Sequence, residues 1–164
     1  MERVIDPHEV ERQVVLSLVL EPIAEKEGCT TRSHDLSNST KLQYFLASAV
    51  NVGRVFHTLA RRVQEEGGQP PVFFDLALDA YARTNKNVAN EKIINMGLID
   101  LLLHVVLASL LTQEKGEGVL EQFIPMLKAS SQDDARFRDE FRLKGLATSR
   151  RELKRSLSQG GGKN

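Results

Sequence analysis

The sequence predicts an all-α protein, a single-domain bundle of about five to seven helices around a buried central helix. Three observations predict this fold. Apolar residues recur at helical spacing in several long segments, capping residues mark where these segments begin and end, and no useful stretch alternates like a strand. The 164 residues are 41% hydrophobic and 27% charged, as in an ordinary globular domain. We expect residues 1–157 to form the bundle and residues 158–164 to form a flexible Gly-rich tail.

The first helix has clear signals at both ends. Asp6 is a capping acid, Pro7 suits the first helical position, and Glu9 lies three residues after the cap. Gly28 ends the segment, and Pro22 should kink or shorten its last turn.

A Gly- and Pro-rich break separates the second helix from the third. After a polar connection over residues 29–40, apolar side chains follow one face of a helix over about 41–66. Gly67 and Gly68 end it, and a third helix is predicted over about 72–84.

The fourth helix, over about residues 90–113, is apolar nearly all round. A helix without a polar face belongs inside other helices, so we expect it to be the core element. Its apolar run from Leu98 to Leu111 contains Asp100 and His104 and falls short of the roughly 20 residues of a membrane span. With a charged N-terminus that does not resemble a signal peptide, the chain is predicted to be soluble, cytoplasmic and without membrane contact.

Three shorter helices are predicted at the C-terminal end. The first covers about residues 119–129 and is interrupted at Pro125. The second, about 131–145, opens with a capping box at Ser131, and a last one is predicted over about 149–157.

The sequence contains none of the common catalytic signatures. There is no Gly-x-Ser-x-Gly, His-Glu-x-x-His or Cys-x-x-Cys, and no glycine cluster has the ending or preceding strand of a phosphate loop. The single cysteine, Cys29, excludes an internal disulfide and a cysteine-based zinc site within one chain. We therefore expect no enzyme activity, catalytic residue, metal site or cofactor.

Two pairs of polar residues are the alternatives to that expectation. Asp100 and His104 are four residues apart and share a helix face, where they form either a buried packing pair or an acid–base or metal-ligating pair. The packing role is favoured, because no further ligands stand out. Asp75 and Asp79 have the same spacing and could hold magnesium with a substrate phosphate. A solvated face is favoured for them, because the supporting Glu-rich motif is missing.

His34-Asp35 is similar to the dipeptide of the HD metal-dependent phosphohydrolases. It lies in a polar loop, where a turn or capping role for Asp35 is favoured. Together with Asp75 and Asp79 it defines one alternative function, that of a metal-dependent all-helical phosphohydrolase.

Charge is distributed unevenly although the net charge is zero. Residues 1–135 hold 13 Lys and Arg against 19 Asp and Glu, whereas residues 136–164 hold 9 against 3. Basic side chains on helix faces can neutralise phosphates without reading sequence, and the scarcity of aromatic residues argues against base stacking. The predicted nucleic-acid-binding residues are Arg54, Arg61, Arg62, Arg83, Lys86, Lys92, Arg136, Arg138, Arg142, Lys144, Arg150, Arg151, Lys154 and Arg155.

An all-helical unit of this size, with basic helix faces and no active site, resembles the small subunits of class 1 CRISPR effector (Cascade) complexes. Met1-Glu2-Arg3 leads straight into a capped helix and the end is basic, so the chain looks like the separately made small subunit of a type I-D complex. The resemblance implies several copies stacked along a complex, supporting guide RNA and target DNA through backbone contacts. The remaining alternative is a protein-binding helical adaptor without nucleic-acid affinity.

Overall fold

In a computed structural model the chain is described over residues 5–24, 41–85, 96–115, 118, 119, 121, 131–144 and 146. Within these residues all regular structure is helical, which confirms the predicted all-α bundle. The helices are α1 (Pro7–Leu20), α2 (Leu42–Glu66), α3 (Asp75–Asn85), α4 (Met96–Lys115) and α5 (132–144). No helix among the described residues is both long and apolar enough to cross a membrane.

Helix α1 begins at the predicted cap and ends at Leu20, just before Pro22, which was predicted to shorten it. Gly28, the predicted end of the segment, lies outside the described residues. The Asp6 carboxylate accepts a hydrogen bond from the backbone N–H of His8 at 3.0 Å, with Pro7 in the first turn. At the other end Pro22 falls in a short 3-10 helix, Glu21–Ile23, because its ring cannot continue the α-helical hydrogen bonds.

Among the described helices α1 to α4, it is α2 and not α4 that packs against all three others. It packs against α1, α3 and α4, and side chains spread around most of its circumference are buried. It ends at Gly67, whose left-handed φ of 61° suits a residue without a Cβ. The two glycines predicted to stop this helix therefore do so.

Helix α4 differs from its prediction as a fully enclosed helix. Ile99, Leu103 and Leu107 lie in the core, but Leu101 is 52% exposed. Its Asp100 and Val105 are half-buried, so one side of the helix faces outward. Composition alone could not show this side, because apolar residues fill both faces.

Helix α3 starts three residues later than its predicted start at 72, because a side chain of α5 binds the backbone just before it. The Asp134 carboxylate is fully buried and its Oδ1 accepts hydrogen bonds from the backbone N–H groups of Phe73 and Phe74, at 2.9 and 2.7 Å. These amides precede the first turn of α3 and are satisfied by the distant carboxylate.

Helix α5 confirms one half of the predicted capping box. The backbone N–H of Asp134 donates to the Ser131 hydroxyl at 3.0 Å, but the Asp134 side chain turns to α3. Phe141 on the same helix is buried with its ring edge-on to Phe74. Helices α3 and α5 are thus joined by both a carboxylate and an aromatic contact.

A half-buried ion pair also joins α2 to the start of α3. Both terminal nitrogens of Arg62 bind the Asp75 carboxylate, at 2.7 and 2.8 Å, and one also donates to the carbonyl of Val72. The hydrogen bonds that Arg62 donates to Asp75 raise the pKa of Arg62, and partial burial opposes this shift. This bidentate geometry is stronger than a typical surface pair.

Replacing Arg62 with alanine should lower the free energy of unfolding by about 1–2 kcal/mol, since three hydrogen bonds are lost but the side chains are partly exposed. The neighbouring Arg61 is exposed and pairs only with Glu65 on its own helix, so Arg61→Ala should cost less than about 0.5 kcal/mol. Urea unfolding followed by circular dichroism measures both. Equal effects would contradict a structural role for the Arg62–Asp75 pair.

Candidate functional site

Three potential metal ligands converge where α1 crosses α2. The ligand atoms of His8, Glu11 and His57 all lie within 4.8 Å of one another. The two imidazole rings are 4.6 Å apart between centroids and inclined by 59°. His8 is exposed, Glu11 is half-buried and His57 is buried, so the cluster runs from the surface into the helix interface.

Gly53 permits this close crossing. It lies one helical turn before His57 and is buried against α1. A Cβ at this position would be 2.5 Å from Cγ2 of Val15 and 3.3 Å from Cγ of Glu11. Because the side of α1 that carries Glu11 rests on the bare backbone of Gly53, His8 and Glu11 come within reach of His57.

The surroundings of His57 favour its neutral state, which is the form of histidine that binds metal. Burial is the main factor that lowers its pKa, and the nearby positive charge of Arg54 lowers it further. His8 and Arg61 act in the same direction, and only Glu11 opposes them.

Two imidazoles and one carboxylate form a donor set that binds zinc and other first-row divalent ions. Within the described part of the chain no other group of three such side chains comes together. The sequence prediction named no metal ligand, and His8 and His57 are too far apart in sequence to be recognised as a pair. The only local signal was the spacing of His8 and Glu11, three residues apart on one helix face.

Asp100 and His104 lie together, as predicted for a packing pair. His104 Nδ1 is 2.8 Å from the main-chain oxygen of Asp100 and 3.5 Å from its carboxylate. The ring is buried between Phe73 and Phe74, at centroid distances of 5.6 and 5.4 Å. These neighbours supply no further metal ligand.

Asp75 and Asp79, the possible magnesium ligands, are each paired with an arginine. Asp75 binds Arg62, and Asp79 accepts a hydrogen bond from Arg83 at 2.8 Å. A carboxylate neutralised by an arginine is a poor ligand for a hard cation. His34-Asp35 lies outside the described residues.

Most of the predicted nucleic-acid-binding residues in the bundle have partners within the chain. Beyond the pairs already described, Arg136 lies near Asp133 and over the Phe137 ring, while Lys144 binds Glu140 at 2.8 Å. The guanidinium of Arg138 stacks on Phe74, 5.1 Å from the ring centroid.

Arg54 and Arg142 are exposed and form no ion pair within the described ranges. The structure does not describe the other predicted nucleic-acid-binding residues, which are Lys86, Lys92, Arg150, Arg151, Lys154 and Arg155. The described arginines and lysines therefore form no continuous patch of unpaired charge.

The chain matches no protein-family model, no curated protein and no solved structure.

Proposed function

We propose that this chain is a non-catalytic helical subunit of a ribonucleoprotein effector complex that contacts nucleic-acid backbone and stacks against neighbouring subunits. The observation that carries the proposal is the distribution of charge. Arg61, Arg62 and Arg83 in the acidic body are bound to carboxylates of the same chain. The excess positive charge lies in residues 136–164, which contain 9 basic and 3 acidic residues.

Ion pairs within the chain distinguish the arginines with a structural role from those that are suited to bind phosphate. Arg62 would have to give up a half-buried bidentate pair to bind phosphate, which makes it a structural residue in this proposal. The interface then rests on the basic residues of 136–164, among which Arg142 is exposed and forms no ion pair within the described ranges. Guide RNA and target DNA are both candidate ligands, because a phosphate backbone is common to both.

Exposed leucines favour protein partners as well. Leu143 near the end of α5 and Leu146 just beyond it are 65% and 58% exposed, and Leu16 and Leu20 are exposed one turn apart on α1. Apolar residues grouped in this way are typical of contact surfaces between proteins. These leucines support a place in an assembly, whose other subunits include copies of the same chain. They also favour the alternative function, that of an adaptor without nucleic-acid affinity.

A binding experiment with four charge reversals tests the proposal. Unstructured single-stranded RNA and DNA should bind the chain with affinity that falls steeply with salt and shows little sequence preference. Reversing four basic residues should weaken binding by at least roughly tenfold at low salt and flatten the salt dependence, since fewer counterions are released. The changes are Arg150→Glu, Arg151→Glu, Lys154→Glu and Arg155→Glu.

A matched variant separates local contact from net charge. It carries the same change in net charge on the N-terminal half of the chain, through Arg3→Glu, Lys26→Glu, Arg32→Glu and Lys41→Glu. Fluorescence anisotropy should show nearly unchanged binding for this variant. Equal losses in the two variants, or undetectable binding of the unmodified chain at low salt, would leave the adaptor function as the better account.

A further inference from the structure

We propose that His8, Glu11 and His57 form a binding site for one divalent transition-metal ion, zinc in the first place, which clamps α1 to α2. The proposal is independent of nucleic-acid binding. It rests on the convergence of three ligands of the correct chemistry from two helices, with all ligand atoms within 4.8 Å.

The backbone around two of the ligands is fixed. The N–H of His8 is held by the Asp6 carboxylate in the first turn of α1, and His57 lies in the middle of the longest described helix. Ligands on regular helices lose little further backbone freedom on binding a metal. The exposed ring of His8 leaves a path by which the ion enters.

The cluster requires only a small contraction to bind the ion. Around a tetrahedral zinc ion with bonds of about 2.0–2.1 Å, ligand atoms are roughly 3.3 Å apart. Rotation of the Glu11 and His8 side chains can close the remaining distance, because both reach the site from the more exposed side of the crossing.

The three side chains are available for this role. None of them makes a hydrogen bond or an ion pair within the described part of the chain. Glu9, on the same helix, is different, because its carboxylate already accepts hydrogen bonds from the side chains of Arg12 and Gln13.

The ligand set leaves a further coordination position. Three protein ligands with an open fourth position are typical of sites that also hold water or an anion. Arg54 and Arg61 lie three residues before and four residues after His57 on α2, so they share its side of the helix and favour an anion there. A carboxylate or phosphate oxygen would complete the coordination.

Zinc competition with a chromophoric chelator tests the site on the full chain stripped of metal. We expect binding of one Zn²⁺ per chain and a rise in the melting temperature on saturation, because the ion binds only the folded crossing. Glu11→Gln and His8→Asn should each weaken binding by at least about tenfold, comparable with or beyond the loss of an outer-shell partner. Both changes are on the accessible side of the site, so the helix interface remains packed.

Glu9→Gln is the matched control, with the same substitution on the same helix, and it should leave zinc affinity unchanged. A second control removes the other candidate ligands through Cys29→Ser and His34→Asn. Co²⁺ in place of zinc should give visible absorption without a thiolate charge-transfer band. The proposal is overturned if Glu11→Gln and Glu9→Gln bind zinc alike, or if the Cys29 and His34 changes abolish binding.

Discussion

Asp134→Ala should lower the free energy of unfolding by about 3 kcal/mol or more. The carboxylate is fully buried and accepts hydrogen bonds from two backbone N–H groups at the start of α3. Hydrogen bonds to a charged group contribute about 1.5–3 kcal/mol each, and their loss would leave both amides buried without acceptors. This exceeds the roughly 1 kcal/mol lost with an ordinary helix cap.

The adjacent aspartate provides the control. Asp133 is exposed and lies 3.4 Å from Arg136 on the same helix, so Asp133→Ala should change stability by no more than about 0.5 kcal/mol. The loss of stability caused by Asp134→Asn should lie between these two values. The amide oxygen of asparagine can still accept the hydrogen bonds from Phe73 and Phe74, but it carries no charge. Urea denaturation gives all three values, and a cost for Asp134→Ala no larger than that for Asp133→Ala would refute the proposed link between α3 and α5.

This link also shows which features the sequence could reveal. The cap at Asp6 and the stop at Gly67 were predictable, because each acts on backbone groups within a few residues of itself. The carboxylate that caps α3 lies about sixty positions further along the chain. Local patterns assigned Asp134 only to the capping box of its own helix, so the first residues of α3 were predicted as helical three positions too early.

The same limit applies to the candidate metal site. The spacing of His8 and Glu11 suits one helix face but does not by itself predict a metal site, because only the crossing of α1 and α2 brings His57 to them. The contribution of α4 to the core was predictable from its apolar content. Which side of it is exposed, as at Leu101, depends on where the neighbouring helices pack. Burial by neighbours is a property of the packed chain, and periodicity records it only where polar residues mark the outer face.

Gly53→Ala should destabilise the protein by about 1–2 kcal/mol, although alanine favours an isolated helix over glycine by about 1 kcal/mol. The new Cβ would lie 2.5 Å from Cγ2 of Val15, far inside van der Waals contact. A valine side chain in a helix has one strongly preferred rotamer, so the methyl group cannot easily turn away and the helices must separate. Overpacking of this kind typically costs about 1–3 kcal/mol, which outweighs the gain in helix propensity.

Gly97→Ala is the comparison that isolates the steric effect. Gly97 lies in α4 with nothing within 4 Å of the position of a Cβ, so alanine there should leave stability unchanged or raise it by up to about 1 kcal/mol. The two Gly→Ala changes should thus have opposite signs in thermal or urea unfolding. A stabilising Gly53→Ala would mean that α1 and α2 do not meet at this residue.

A second change at the crossing tests the mechanism directly. Val15→Ala removes the methyl group that the new Cβ would strike, so it should recover at least about 1 kcal/mol of the loss caused by Gly53→Ala. Glu11 should be displaced in the single Gly53→Ala variant, because its Cγ would lie 3.3 Å from the new Cβ. The Gly53→Ala variant should also bind zinc more weakly at the His8, Glu11 and His57 site, and the double variant should regain part of the affinity. Stability and metal affinity would then change together for one reason, the distance between α1 and α2 at Gly53.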